Sequence, residues 1–245
     1  MMQDYSKHII QELCEDIIND ILCDNIYIKG MCHNIYTMNH HNDELISEIK
    51  RKCILWVDNL KFNTYTKPGS ISHLLFGEKP SLQSINIKVG RLGEYLSKEL
   101  IKMNSKLELM NCGIQNINNK KKDVDLIFMD IERKIIYYYE LKGNIVLDTE
   151  KLPATINKCK EIENSLKETY PDYKINCAIL NWSVYDRKIL TSGLSNIKAF
   201  ENGGVKIHHM EDFFNTINIC WSEDDYTSFF REIGTKIDEK SEGKI

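Results

Sequence analysis

Lys120-Lys-Lys-Asp-Val-Asp-Leu-Ile-Phe-Met-Asp-Ile-Glu-Arg-Lys-Ile-Ile-Tyr-Tyr-Tyr-Glu-Leu-Lys142 sets two strongly apolar runs, 124–129 and 134–141, among acidic and basic residues. The runs are rich in β-branched and aromatic side chains, and the polar segment Asp130-Ile131-Glu132-Arg133 lies between them, which predicts two strands joined by a tight turn near 131–133. Side chains alternate across a strand with period two, so Asp123 and Asp125 share one face of the first strand, and Glu140 and Lys142 share one face of the second. Strand propensity does not explain acids at the head of one run and an acid and a lysine at the tail of the next. If the strands pair antiparallel, those ends meet, and two carboxylates and an ammonium converge at one end of a sheet.

Such a constellation suits hydrolysis of a phosphodiester. That reaction needs charge neutralisation at the phosphate and a water made nucleophilic near neutral pH. A hard cation such as Mg2+ takes oxygen ligands, typically one or two carboxylates with several waters. It would act as a Lewis acid and lower the pKa of a water. Lys142 would orient or help deprotonate that water and stabilise the developing charge. The ordinary account of the same residues is a surface hairpin with solvated charges, but exposed strands seldom carry such long apolar runs.

Outward from this segment, the periodicities are those of a mixed α/β chain. Apolar residues at Ile9, Ile10, Leu13, Ile17, Ile18 and Ile21 predict an amphipathic helix over 4–23, and Leu45, Ile46, Ile49, Cys53, Ile54 and Val57 a second from Asn42 or Asp43. Residues 67–84 hold Pro68, Gly69, Gly77 and Pro80 and read as an ordered loop. Val89, Leu92, Leu96, Leu100 and Met103 place a helix over 87–104. After the strand pair come a helix over 148–170, capped by Asp148 or Thr149, buried strands at 175–182 and 205–209, and a helical end from 210 to 237. The expected divisions are a helical N-terminal region (1–85) holding dimer or DNA contacts, a core (86–237) and a polar tail (238–245).

With 245 residues, 42% hydrophobic and 28% charged, the chain has the composition of a globular protein able to bury a core. A formal charge of −4 gives no global pull on a polyanion, so a nucleic acid would have to be met by a local basic surface. The eight cysteines form no C-x-x-C pair, which argues against a zinc ribbon or a thioredoxin-type site. With neither a signal-peptide pattern nor a membrane-length apolar stretch, the expectation is a cytoplasmic protein with no membrane partner.

The strand pair resembles the active-site motif of the PD-(D/E)XK nuclease superfamily, which includes most type II restriction endonucleases. The matching residues are Asp125 in Val-Asp-Leu-Ile-Phe and Glu140-Leu141-Lys142. The resemblance implies a restriction-endonuclease-like core, a mixed central sheet flanked by helices, with Asp125, Glu140 and the Leu141 carbonyl as Mg2+ ligands and Lys142 as the catalytic lysine. The family's proline before the first aspartate is absent: Val124 precedes Asp125 and Lys122 precedes Asp123, which leaves Asp123 as the alternative ligand. Many members carry a further glutamate on the preceding helix, and Glu94 in Gly90-Arg-Leu-Gly-Glu94 matches it, on the side shared by Gly90 and Ser97. An exposed helix glutamate is the ordinary alternative.

The resemblance further implies double-stranded DNA as substrate, 5′-phosphate ends, a homodimer and a cognate DNA methyltransferase as functional partner. A repair or junction-resolving nuclease of the same superfamily, or an inactive DNA-binding module, are the rival expectations. Lys120, Lys121 and Lys122 lie where a phosphate backbone would pass. Asn144 after Gly143, Lys151 with Lys158 and Lys160 on the next helix, and Arg187 in the Trp182–Lys188 loop are further candidates for DNA contact, each also readable as solvated surface. Tyr137, Tyr138 and Tyr139 are expected in the core, and His208 and His209, on opposite strand faces, as non-ligands.

Overall fold

The computed structural model describes residues 26–62, 64–145 and 151–242. In chain order the elements are α1 (Ile26–Asp58), α2 (Ile71–Phe76), α3 (Leu82–Met103), β1 (Leu107–Leu109), β2 (Gly113–Ile117), β3 (Lys120–Val124), β4 (Leu126–Asp130), β5 (Ile135–Lys142), α4 (Leu152–Thr169), β6 (Lys174–Asn181), α5 (Leu194–Asn202), β7 (Lys206–His209), α6 (Met210–Ile217) and α7 (Glu223–Glu242). The chain forms two compact units, Met1–Ser47 and Glu48–Ile245. Of the first, the described part is helix α1 from Ile26, and the helix expected over 4–23 lies outside the described residues.

In the second unit a five-stranded mixed sheet, ordered β1-β4-β5-β6-β7, is flanked by helices. The two apolar runs form neighbouring strands joined by the charged turn: β4 and β5 pair antiparallel from Leu126↔Tyr139 to Asp130↔Ile135. Asp130 is buried yet satisfied within the turn, accepting from the Arg133 N–H at 2.8 Å and pairing with the Arg133 guanidinium at 2.7 Å. β6 and β7 extend the sheet in parallel. One face carries Ile127, Ile136, Tyr138, Ile179 and Ile207, covered by Cys159, Ile162 and Leu166 of α4 and by Ile197 and Phe200 of α5. On the other face Phe128 and Tyr139 meet Phe213 of α6 edge-on.

Several elements depart from the sequence expectation. The strand expected to run unbroken over 124–129 is two strands: β3 pairs with β2 in a separate two-stranded sheet, and the chain crosses to the central sheet at Asp125. The β2–β3 turn is Asn118-Asn119, both with positive φ (50° and 61°), a conformation that asparagine tolerates and that matches hairpin twist. Asn42 and Asp43 do not cap a helix, because α1 runs through them. The expected loop over 67–84 holds α2 and the first turn of α3, where the Ser81 hydroxyl accepts from the Ser84 N–H. The helical end divides into α6 and α7 because Asn218 turns left-handed at φ 55°. Helix α4 begins at Leu152, and the expected caps Asp148 and Thr149 lie outside the described residues.

Candidate active site

The antiparallel register carries the crossing residue Asp125 opposite Glu140, at the end of the sheet where β5 finishes. Asp125 is fixed by the backbone: the Leu141 N–H donates to its Oδ2 at 2.8 Å. A residue's N–H and C=O point to the same side of a strand, so the Leu141 carbonyl is also directed to the Asp125 side. Glu140 is held from its own strand, two residues back, where the buried Tyr138 hydroxyl donates to Oε2 at 3.0 Å. Burial and then the Glu140 charge push the Tyr138 hydroxyl well above its usual range, so it stays a donor. Sequence reasoning placed Tyr138 in the core, where it lies. Its hydroxyl's role was readable from the shared face of residues 138 and 140.

Two ammonium groups meet the carboxylates. Lys142 Nζ lies 3.5 Å from Glu140 Oε1, as the shared strand face predicts. Lys158, from α4 across this face of the sheet, pairs with Glu140 Oε2 and lies 3.7 Å from Asp125 Oδ1. The side chains of Glu140 and Asp125 are 7% and 14% exposed, so these pairs form with little water around them. Burial, reinforced by the Glu140 charge and opposed by Lys158, pushes the Asp125 carboxyl up to about 7. Burial alone would lower the Lys158 ammonium, but the charges of Glu140 and Asp125 hold it above its usual value.

At the same end, β6 places Asn181 beside Lys142. Asn181 is 1% exposed, and its Nδ2 has no hydrogen-bond partner among the described residues, a costly omission for a buried donor. Sequence reasoning missed this residue because the parallel β5–β6 pairing that brings it in joins distant segments. Trp182 follows, and its indole fills the space over both Gly93 and Gly143. A Cβ at Gly93 would overlap the ring, and one at Gly143 would come within 2.9 Å. Trp182 is thus a buried packing residue rather than part of a base-reading loop, and the Gly143 cradle is filled by protein.

The remaining expected site residues lie outside this set of contacts. Glu94 pairs with Lys98 at 3.4 Å and acts on Asp125 only through its charge. Near it, Gly90 has open space while Ser97 is buried. Asp123 is exposed on β3, paired with Ile114, and does not reach the Leu141 backbone. Lys120 and Lys121 are exposed on β3, and Lys122 pairs with Glu161 at 2.6 Å. Asn144 and Lys151 are exposed, and the Arg187 guanidinium is engaged by Glu201 through contacts of 2.7 and 3.4 Å.

Among the described residues no three His, Cys, Asp or Glu side chains gather as a metal site. The donor set available to a cation is therefore two carboxylates and a main-chain carbonyl, all hard oxygens, a set that fits Mg2+ with water completing the shell. Fold and cluster together define a mixed α/β protein with a buried, charge-balanced acid–lysine centre at one sheet end. The chain matches no protein-family model, no curated protein and no solved structure. No described helix is long and apolar enough to cross a membrane.

Proposed function

We propose that this chain is a magnesium-dependent type II restriction endonuclease of the PD-(D/E)XK kind, hydrolysing double-stranded DNA to leave 5′-phosphate ends. The observation that carries the reading is the convergence of Asp125, Glu140, Lys142 and Lys158. Asp125, Glu140 and the Leu141 carbonyl would hold Mg2+, which when bound polarises a phosphate and lowers the pKa of a water. The Leu141 N–H and the Tyr138 hydroxyl aim the two carboxylates. Lys142 would orient the attacking water and stabilise the negative charge that grows on it as its proton passes to bulk water. Lys158 would bring a second ammonium to the phosphate, stabilising the charge that builds there in the transition state. The buried Asn181 Nδ2 is a ready donor to a phosphate oxygen.

The enzyme would act as a homodimer on a palindrome, each subunit cutting one strand, with a methyltransferase protecting host DNA. Incubating the protein with unmethylated plasmid and Mg2+ tests the reading: discrete fragments with 5′-phosphate ends are expected, and Lys142→Ala should abolish them while the variant folds normally. Cutting confined to branched DNA would replace the restriction reading by that of a junction resolvase. Binding without any cleavage would overturn the enzyme.

A further inference from the structure

Away from the carboxylates, the last turns of α1, the residues just after it and the middle of α3 border an open hollow of about 510 Å³. Four cations line it, Lys52, Lys61, Lys88 and Arg91, and no carboxylate does. Lys52 is committed to Glu99 at 2.8 Å. Lys61, Lys88 and Arg91 have no ion-pair or hydrogen-bond partner among the described residues. In a chain of net charge −4, three uncommitted cations around one hollow concentrate positive potential locally. The wall beside them is aromatic: the rings of Trp56 and Tyr95 stack, centroids 6.1 Å apart and planes 26° from parallel.

We propose that this hollow binds a nucleotide, its base laid against Trp56 and Tyr95 and its phosphate held by Lys61, Lys88 and Arg91. The volume lies within the range of small-ligand sites. Lysine and arginine supply charge-assisted hydrogen bonds to phosphate, and a flat aromatic pair supplies a stacking surface that accepts any base. An acidic peptide would use the cations but leave the ring wall idle, and a membrane surface would not enter a hollow. On α3, at about 100° per residue, Arg91 lies about 60° around the helix from Glu94, so this site neighbours the carboxylate end without sharing its residues. The inference goes beyond the nuclease reading and does not depend on it. The nucleotide can be free or part of a single strand, and the same chemistry recognises both.

Binding in EDTA, where cleavage cannot occur, separates the sources. ATP is titrated by calorimetry, and a fluorescein-labelled oligothymidylate is followed by anisotropy. Saturable binding of ATP alone identifies a free-nucleotide site, and of the oligonucleotide alone a strand site. In the arm that binds, Lys88→Ala with Arg91→Ala should weaken affinity at least tenfold and flatten its salt dependence. Trp56→Ala should weaken it roughly five- to a hundredfold, with Trp56→Phe retaining most of it. Asp125→Asn should bind as wild type, so failure of the nuclease reading leaves this result standing. Absence of binding in both arms overturns the proposal. So does unchanged affinity in the Lys88/Arg91 variant, whose altered side chains make no hydrogen bond or ion pair among the described residues and whose melting temperature confirms folding. Heparin binding that is equally strong and indifferent to Trp56→Ala, in place of nucleotide binding, also overturns it.

Discussion

Burying two carboxylates side by side costs free energy that lysines return only in part, and the cost falls on Asp125. Its carboxyl rises from 3.8 to about 7 on folding. Between those values the folded chain keeps a proton that the unfolded chain has released, so this group's contribution to stability falls as pH rises and levels off above about pH 7. Asp125→Asn keeps an acceptor for the Leu141 N–H and has nothing to titrate. Its melting temperature relative to metal-free wild type should therefore climb from about pH 4 to about pH 7 and then stay flat. Parallel curves for the two proteins would refute the shift. Lys158→Met removes the ammonium that touches both carboxylates, and losing one side of a buried pair costs about 3–5 kcal/mol. Denaturant unfolding in EDTA should show a loss of that order, and saturating Mg2+ should recover much of it if the cation takes the pair's charge.

At the scale of elements, the site depends on two placements: the crossing of the chain from the β2–β3 sheet to the central sheet at Asp125, and the laying of α4 over the Tyr138 face. The first lets the Asp125 side chain leave the ladder and meet Leu141, and the second delivers Lys158. A third contact locks this end, the Trp182 indole lying on Gly93 of α3 and on Gly143 just after β5. Gly93→Ala would drive a methyl into a buried ring and should destabilise the fold by about 1–3 kcal/mol, measured by denaturant unfolding. A neutral result would mean that α3 is free to shift. The β4–β5 pair was legible because β-branched and aromatic composition and the charged turn are local signals. The β1, β2 and α5 elements were not, since each is short and takes its stability from neighbours distant in sequence.

For the whole molecule, a cation bound by the folded state and not by the unfolded chain must raise stability by mass action. Wild type should gain several degrees of melting temperature on passing from EDTA to millimolar Mg2+, and Asp125→Asn/Glu140→Gln should gain none beyond the effect of ionic strength; equal gains would remove the metal from the site. The amino-acid sequence by itself determined the strand pair, the common face of Glu140 and Lys142 and the amphipathic stripe of α3, because side-chain direction follows from position along a regular backbone. It left Asp123 and Asp125 open as alternatives. It also gave no hint that Lys158 would reach both acids, that Asn181 would stand beside Lys142, or that Trp56 and Tyr95 would wall a basic hollow. Those are meetings between segments far apart in the chain, and only the packing of helices on the sheet decided them.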